Sequence, residues 1–194
     1  MALTQRTHEI IREHFANQAG LVAVDATCGN GHDTEFLCRL GFTHVFGFDV
    51  QTQAIKQTQQ RLDNAELNAT LIKAGHETID QYVEQRIDCV MFNFGYLPSA
   101  DKNITTTKNT SLKALEIVTN QLSQNGLITL MCYPGHPQGA IETDAIKAWM
   151  EQLGEQWQVE THLAKSPKPT APILFTISRI NKLTITKRTY HVLA

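Results

Sequence analysis

The segment LVAVDATCGNGHDTEFLCRL, residues Leu21–Leu40, decides the fold. It opens with Leu21–Asp25, an apolar run that ends in a carboxylate, which predicts a short buried strand. The loop Ala26–Gly31 carries two glycines. A helix is predicted from His32 to Leu40, where Gly41 ends it. A buried strand, a glycine loop and a helix in this order indicate the first half of a β-α-β unit.

The same alternation of short apolar runs and longer amphipathic segments continues along the chain. It predicts an α/β fold with a mostly parallel, doubly wound sheet of about seven strands, in one domain over residues 1–194. The last two apolar runs alternate with polar residues, which predicts an antiparallel strand near the C-terminus. Further helices are predicted at 1–18, 51–65, 77–85, 107–122 and 142–153, and further strands at 44–49, 69–74, 87–92, 126–133, 156–163 and 172–180.

Bulk composition excludes several classes of protein. With 194 residues, 42% hydrophobic and 19% charged, the chain is typical of a globular domain. No apolar run approaches a membrane span, and the N-terminus lacks the apolar core of a signal peptide, so we expect a cytoplasmic protein that does not enter a membrane. The four cysteines are far apart with no C-x-x-C pair, and no metal site is predicted.

Basic residues are concentrated at the C-terminal end. From Lys165 to Ala194 there are six Lys or Arg and no acid, which leaves 17 − 6 = 11 basic against 19 acidic residues in the rest of the chain. Such a segment could meet phosphate groups, or its lysines could simply maintain solubility. Charge alone leaves both interpretations open.

Polar residues follow every one of the first five predicted strands. Because the carboxyl ends of parallel strands meet at one edge of a sheet, ligands bind there. The concentration of polar groups in these loops is the main functional signal in the sequence. In chain order the loops read DATCGNGHD, DVQ, GHE, NFGYLP and YPGHPQG.

The first two of these loops predict a nucleoside cofactor. Gly29 and Gly31 let the backbone approach a ligand, and Asp49 ends the second strand, where a carboxylate usually binds ribose hydroxyls. The third glycine of a dinucleotide motif is missing, and Asp25 and Asp33 flank the loop with negative charge. That charge favours a cationic ligand such as S-adenosylmethionine over a pyrophosphate. A tight turn with a helix cap is the structural alternative.

The motifs resemble those of known methyltransferases. VAVDATCGNG resembles the first motif of class I S-adenosylmethionine-dependent methyltransferases, with Thr27 in place of the first glycine. The chain is more similar still to a small bacterial family filed as rRNA methylases, whose pattern can be read from Asp25 to Gly139. The resemblance implies a Rossmann-like class I fold. It also implies methylation of the 5-aminomethyl group of a tRNA wobble uridine to 5-methylaminomethyl.

The fourth loop carries the residues that would act on the substrate. Asn93-Phe94-Gly95-Tyr96 resembles the [DNS]-P-P-[YFW] motif of N-methyltransferases, although neither middle residue is proline. The resemblance implies that the Asn93 amide oxygen orients the attacking amine and that Tyr96 stacks on the base. An alkyl amine must also lose a proton. His136 is our first choice for that role, with Asp101 and Tyr133 as alternatives, unless His136 only holds a Pro-Gly turn.

Cofactor contacts follow by matching position. Asp49 would bind the ribose and Gln51 the same sugar or the adenine side; His76 and Glu77 would lie near adenine, although Glu77 also suits a helix first turn. Asn30 and Asp33, and Asp25 with them, would bind the methionine portion or the loop around it, and Gly29 and Gly31 would let the backbone of this loop approach the cofactor.

The expected partner is the anticodon region of tRNA, and a homodimer is left open. The alternatives to this function are methylation of rRNA, protein or a small molecule and, ranked last, an NAD(P)-binding Rossmann protein.

Overall fold

A computed structural model describes residues 2–94, 106–165 and 168–180 of the chain. None of the helices in this part of the chain is long and apolar enough to cross a membrane. The strands are β1 (Val22–Asp25), β2 (His44–Phe48), β3 (Thr70–Ile72), β4 (Ile87–Asn93), β5 (Leu122–Cys132), β6 (Trp157–Leu163) and β7 (Ile173–Arg179); the helices are α1 (Leu3–His14), α2 (His32–Leu40), α3 (Thr52–Asn64), α4 (Lys108–Gln121) and α5 (Pro137–Met150), with a 3-10 helix at His76–Gln81.

The strands form one seven-stranded sheet in the order β3-β2-β1-β4-β5-β7-β6. Strands β1 to β5 are parallel to one another. Strand β7 is antiparallel to both of its neighbours, β5 and β6. The predicted fold class is therefore confirmed, including the antiparallel strands near the C-terminus. This order brings the loops after β1 and β4 side by side, because the two strands are neighbours although about 60 residues separate them.

Helices cover both faces of the sheet, so the central strands are buried on both sides. Along β1, Val22 and Val24 belong to one apolar cluster, which also contains Leu115 and Val118 of α4. Ala23, between them in sequence, belongs to a second cluster with Ile11 of α1. The alternation follows from the two-residue period of a strand, and it keeps β1 and its terminal carboxylate at the centre of the molecule.

Three predicted helices differ from the structure. The helix predicted at 1–18 ends at His14, four residues early. The helix predicted at 142–153 begins five residues earlier, at Pro137, because proline suits the first helical turn and the His136 imidazole accepts a hydrogen bond from the Gly139 N–H. The helix predicted at 77–85 is instead a 3-10 helix, His76–Gln81. Its short length leaves it little room for the regular α-helical ladder.

Replacing Asp88 should destabilise the sheet at the amino ends of its parallel strands, opposite the strand-end loops. Its carboxylate accepts hydrogen bonds from the Val22 N–H at 2.8 Å and from the Ser123 hydroxyl at 2.6 Å, which join β1, β4 and β5. Asp88→Ala leaves the Val22 N–H without this partner, and we expect it to lower the free energy of unfolding by about 1–3 kcal/mol in urea titrations. Ser123→Ala, which removes one of the two bonds, should have a smaller effect. An unchanged urea midpoint for Asp88→Ala would contradict this assignment.

Candidate active site

A cavity of about 730 Å³ lies at the carboxyl ends of the parallel strands. Each of the five strand-end loops contributes to its wall, and the segment before β7 adds Thr170 and Pro172. The five loops are represented there by Thr27, Asp49, His76, Asn93 and Tyr133. The polar residues that are scattered over more than 100 positions of sequence thus share one cleft.

The two glycines of the first loop have different surroundings. Gly29 lines the cavity with a φ of 50°, and its N–H donates to the Asp49 carboxylate at 3.1 Å. Gly31 has a φ of 78° and does not line the cavity. A Cβ atom at Gly31 would lie 2.8 Å from the Cα of Thr58 on α3, so this glycine permits α2 and α3 to pack closely. The expectation that Gly31 contacts the cofactor is not supported by this geometry.

Asp25 lies behind the cavity wall. It is 1% exposed, and its oxygens accept hydrogen bonds from the Thr34 hydroxyl at 2.6 Å and the Thr27 N–H at 3.3 Å. Burial, with the nearby charge of Asp33 as a second cause, raises the pKa of Asp25 to about 7. Of the two roles predicted for Asp25, contact with the methionine portion or with the loop around it, the geometry favours the second: the side chain holds the loop, does not line the cavity and is not a full negative charge at neutral pH.

Asp49 is a carboxylate of the cavity wall that two backbone N–H groups hold in place. One oxygen accepts from the Gly29 N–H and the other from the Gln51 N–H at 2.8 Å. Burial raises the pKa of Asp49, and these backbone hydrogen bonds oppose the rise. Each oxygen keeps a further lone pair, so the group can still accept two hydroxyl hydrogens from a ligand.

His76 presents an unused acceptor to this part of the site. It is 6% exposed, and its Nε2 has no partner among the described residues. Burial lowers the pKa of His76, so the ring is neutral. The edge-on rings of Phe92 and Phe94 hold it in place, with centroids at 5.7 and 6.0 Å. A buried nitrogen without a partner is costly, and a ligand that donates a hydrogen bond would relieve it.

Three contacts fix the position of Asn93 at the end of β4. Its backbone N–H donates to the Thr27 hydroxyl at 2.7 Å, which ties it to the first loop. Its side-chain Nδ2 donates to Asp33 Oδ2 at 2.7 Å, and its Oδ1 accepts from the Tyr133 hydroxyl at 3.1 Å. Burial raises the pKa of Tyr133, so the phenol remains a donor at neutral pH.

The other predicted residues have mixed outcomes. Asn30, Gln51, Glu77 and His136 all line the cavity. His136 also caps α5, with Nδ1 accepting from the Gly139 N–H at 3.1 Å, so that lone pair is already used. Tyr96, together with the alternative base Asp101, lies outside the described residues.

Sequence reasoning missed several residues of the site. Thr27 and Thr34 are ordinary loop and helix residues by pattern, yet they position Asn93 and Asp25. Their place beside the first strand end was the one available signal, because hydroxyls at a β1–α2 junction commonly bond neighbouring carboxylates and amides. His8 of α1, which contacts Asp33, had no signal at all.

A family model and a curated relative both match most of this chain. The family model described as "Putative rRNA methylase" matches residues 45–178. A curated relative, the chloroplastic "tRNA (mnm(5)s(2)U34)-methyltransferase" of Arabidopsis thaliana, is 32% identical over 171 residues, which cover 81% of this chain. The chain spans 62% of the length of that relative.

Solved structures extend the similarity to the whole fold. A "putative rRNA-methylase" from Clostridium thermocellum is 35% identical with a TM-score of 0.86, over 91% of this chain and 97% of that one. A "putative methyltransferase" from Streptococcus mutans, in complex with SAH, is 31% identical with a TM-score of 0.83, over 93% and 99% of the two chains.

The raised pKa of Asp25 predicts a pH-dependent stability that Asp25→Asn should remove. The folded-state pKa lies above the unfolded value, so this group's contribution is complete below about pH 4 and is lost as pH rises through about 7. Relative to Asp25→Asn, the wild type should lose up to about 1.4 kcal/mol of unfolding free energy per pH unit in that window. Urea midpoints from pH 5 to 8 measure the difference. The exposed control Asp80→Asn should run parallel to the wild type, and a parallel Asp25→Asn curve would refute the assignment.

Proposed function

Because this chain belongs to the rRNA methylase family, we propose that it methylates the 5-aminomethyl group of a tRNA wobble uridine to 5-methylaminomethyl. The fold of the family is that of the S-adenosylmethionine-dependent methyltransferases, and the Streptococcus mutans relative holds SAH, which confirms the predicted cofactor. The observation that carries the proposal is the Asn93 amide, which Asp33 and Tyr133 hold at the cavity wall with its oxygen available to an amine.

The cavity residues fit S-adenosylmethionine. When bound, this cofactor supplies an electrophilic methyl group on a sulfonium. Asp49, half-buried and held by two backbone N–H groups, would accept the two ribose hydroxyls. Gln51 would contact the same sugar or the adenine side, and Asn30 and Asp33 would face the methionine portion. The carboxylate of Asp33 also attracts a positively charged ligand. It would repel the pyrophosphate of a nicotinamide dinucleotide or another polyanion.

His76 supplies the sharpest test of fit. Burial lowers the pKa of His76, and its Nε2 has no partner among the described residues, so with the proton on Nδ1 this nitrogen would accept a hydrogen bond. An adenine amino group is a donor of the required kind. Glu77, beside it on the 3-10 helix, adds a carboxylate at the same wall of the cavity.

The acceptor half of the site would orient an amine. The Asn93 oxygen can accept one N–H of a neutral aminomethyl group, which leaves the nitrogen lone pair free to point at the methyl carbon. Thr106, Thr107 and Thr110 line this half of the cavity with hydroxyls. Tyr133 remains a phenol, so its hydroxyl donates a hydrogen bond to the Asn93 oxygen and does not remove a proton.

The amine must therefore enter in its neutral form. The His136 Nδ1 lone pair receives the Gly139 N–H, which weakens our first choice of base. Attack by the neutral nitrogen forms its new bond to carbon as the bond from carbon to sulfur breaks. The nitrogen then carries a positive charge, and release of one proton to water gives the secondary amine product. No metal or covalent enzyme intermediate is needed in this scheme.

Recognition of tRNA is supported by exposed lysines in the segment between β6 and β7. It is also supported by the Arabidopsis relative, which is a tRNA methyltransferase. Lys165 and Lys168 are exposed, and they belong to the same chain segment between β6 and β7 as Thr170, which lines the cavity. These lysines belong to the basic C-terminal part of the chain and suit contact with phosphates.

The first experiment tests cofactor and substrate together. S-adenosylhomocysteine should raise the thermal midpoint of the protein and NAD should not. The protein with labelled S-adenosylmethionine should then methylate tRNA that carries 5-aminomethyluridine at the wobble position, and nucleoside digestion should yield 5-methylaminomethyluridine. Methylation of rRNA in place of tRNA would shift the proposal to the rRNA substrate, and stabilisation by NAD alone would defeat it.

Asn93→Ala should separate turnover from cofactor binding. Without the amide oxygen the amine loses its orientation, and we expect kcat to fall by about 10²–10³ while the affinity for S-adenosylhomocysteine changes by less than about threefold. Single-turnover methyl transfer and calorimetric titration measure the two quantities. Asn125→Ala is the matched control, because Asn125 lies near the amino end of β5, at the opposite end of the strands from the cavity. An equal loss of affinity and rate in Asn93→Ala would show that the amide serves the cofactor instead.

A further inference from the structure

His8 lies on α1, outside all the strand-end loops, yet it reaches the site through Asp33. Its Nε2 is 2.7 Å from Asp33 Oδ1, and the other oxygen of the same carboxylate is 2.7 Å from Asn93 Nδ2. The His8 ring does not line the cavity. Asp33 therefore joins a helix of the N-terminal segment to the amide that faces the substrate.

The Asp33 carboxylate determines which atoms of His8 and Asn93 face it. An ionised carboxylate only accepts hydrogen bonds, so His8 must carry its proton on Nε2 and Asn93 must turn its nitrogen, not its oxygen, towards Asp33. The Asn93 oxygen then points towards the Tyr133 hydroxyl. If the amide were rotated by half a turn, its oxygen would face Asp33 and its nitrogen would face an incoming amine.

The His8 ring is held independently of this hydrogen bond. It stacks on Phe36 with ring centroids 3.8 Å apart and an interplanar angle of 1°. Phe36 lies on α2, one helical turn after Asp33, so the same helix supplies both the stacking surface and the hydrogen-bond acceptor. The imidazole side chain is 24% exposed, which shields the hydrogen bond from much of the solvent.

We propose that His8 is a positioning residue for methyl transfer, which holds Asp33 and, through it, the orientation of the Asn93 amide. The inference rests on the proposed function, because it assumes that the Asn93 oxygen orients the amine. Asp33 accepts from both sides at once, so loss of the His8 donor frees one oxygen and allows the carboxylate to rotate. The Asn93 amide then loses the constraint that separates its two orientations.

The test compares two substitutions of His8 in the full-length protein. His8→Phe keeps an aromatic ring for stacking on Phe36 and removes the donor. His8→Gln keeps an N–H at a reach similar to that of Nε2. With tRNA carrying 5-aminomethyluridine, kcat should fall by about 10- to 100-fold in His8→Phe and by less than about threefold in His8→Gln. The KM for tRNA should stay within about twofold of wild type in both, and the affinity for S-adenosylhomocysteine should fall by less than kcat in His8→Phe, because Asp33 keeps its charge beside the methionine portion.

His14→Phe is the matched control. His14 is on the same helix, and its Nε2 also makes a 2.7 Å hydrogen bond, but to the Asn125 carbonyl, away from the cavity. We expect its kcat to equal that of the wild type. Equal losses of kcat in His8→Phe and His14→Phe would assign the effect to helix α1 as a whole. Equal losses of kcat in His8→Phe and His8→Gln would show that the N–H donor to Asp33 is not the cause. Either result overturns the proposal, as does an unchanged kcat in His8→Phe.

A spectroscopic arm separates this inference from the proposed function. The Asn93 side-chain NH₂ signals can be identified in ¹H–¹⁵N spectra as the pair missing in Asn93→Asp. They should shift in His8→Phe, with or without S-adenosylhomocysteine, and stay in place in His14→Phe. If the wild type fails to methylate the tRNA but these shifts occur, the substrate assignment fails and the positioning contact stands. If methylation succeeds and the signals do not move, the positioning contact fails alone.

Discussion

The hydrogen bond between Asn93 Nδ2 and Asp33 Oδ2 links the two halves of the site, and most of the fold is needed to form it. It requires β1 and β4 to be neighbours in the sheet, since Asp33 follows the first strand and Asn93 ends the fourth. It also requires the loop after β1 to turn sharply enough for α2 to bring Asp33 back over the strand end. Gly31 permits that turn with its positive φ and its close approach to Thr58.

Periodicity and turn chemistry were enough to predict the fold. Buried parallel strands read as apolar runs, and the helix His32–Leu40 was bounded by glycines that the structure places in the left-handed region. The start of α5 was missed because its first turn, PQGAI, shows no helical periodicity, and the signal was a histidine cap that sequence patterns rarely reveal. The site could be located at the correct edge, but His8 could not, because a contact from a distant helix depends on three-dimensional packing alone.

Three carboxylates near the cavity differ in what surrounds them, and the sequence does not separate their roles. Asp25 is enclosed and its pKa rises towards neutrality, so it contributes hydrogen-bond acceptors for Thr34 and little dependable charge. Asp49 is satisfied by backbone N–H groups and keeps lone pairs for a ligand. Asp33 is bonded to His8 and Asn93. The negative charge that favours a sulfonium therefore comes mainly from Asp33 and Asp49.

An amide at position 93 suits the proposed nucleophile, an amine that must be neutral to attack. A carboxylate there would lie within hydrogen-bond distance of Asp33, and two such charges would repel or share a proton. It would also bind an aminomethyl group best as the ammonium, which has no lone pair to attack with. The Asn93 oxygen accepts an N–H without offering a full charge, so it favours the ammonium far less. The same amide needs a carboxylate on its other side to fix its orientation, which is why Asp33 and its own support belong to the chemistry of the site.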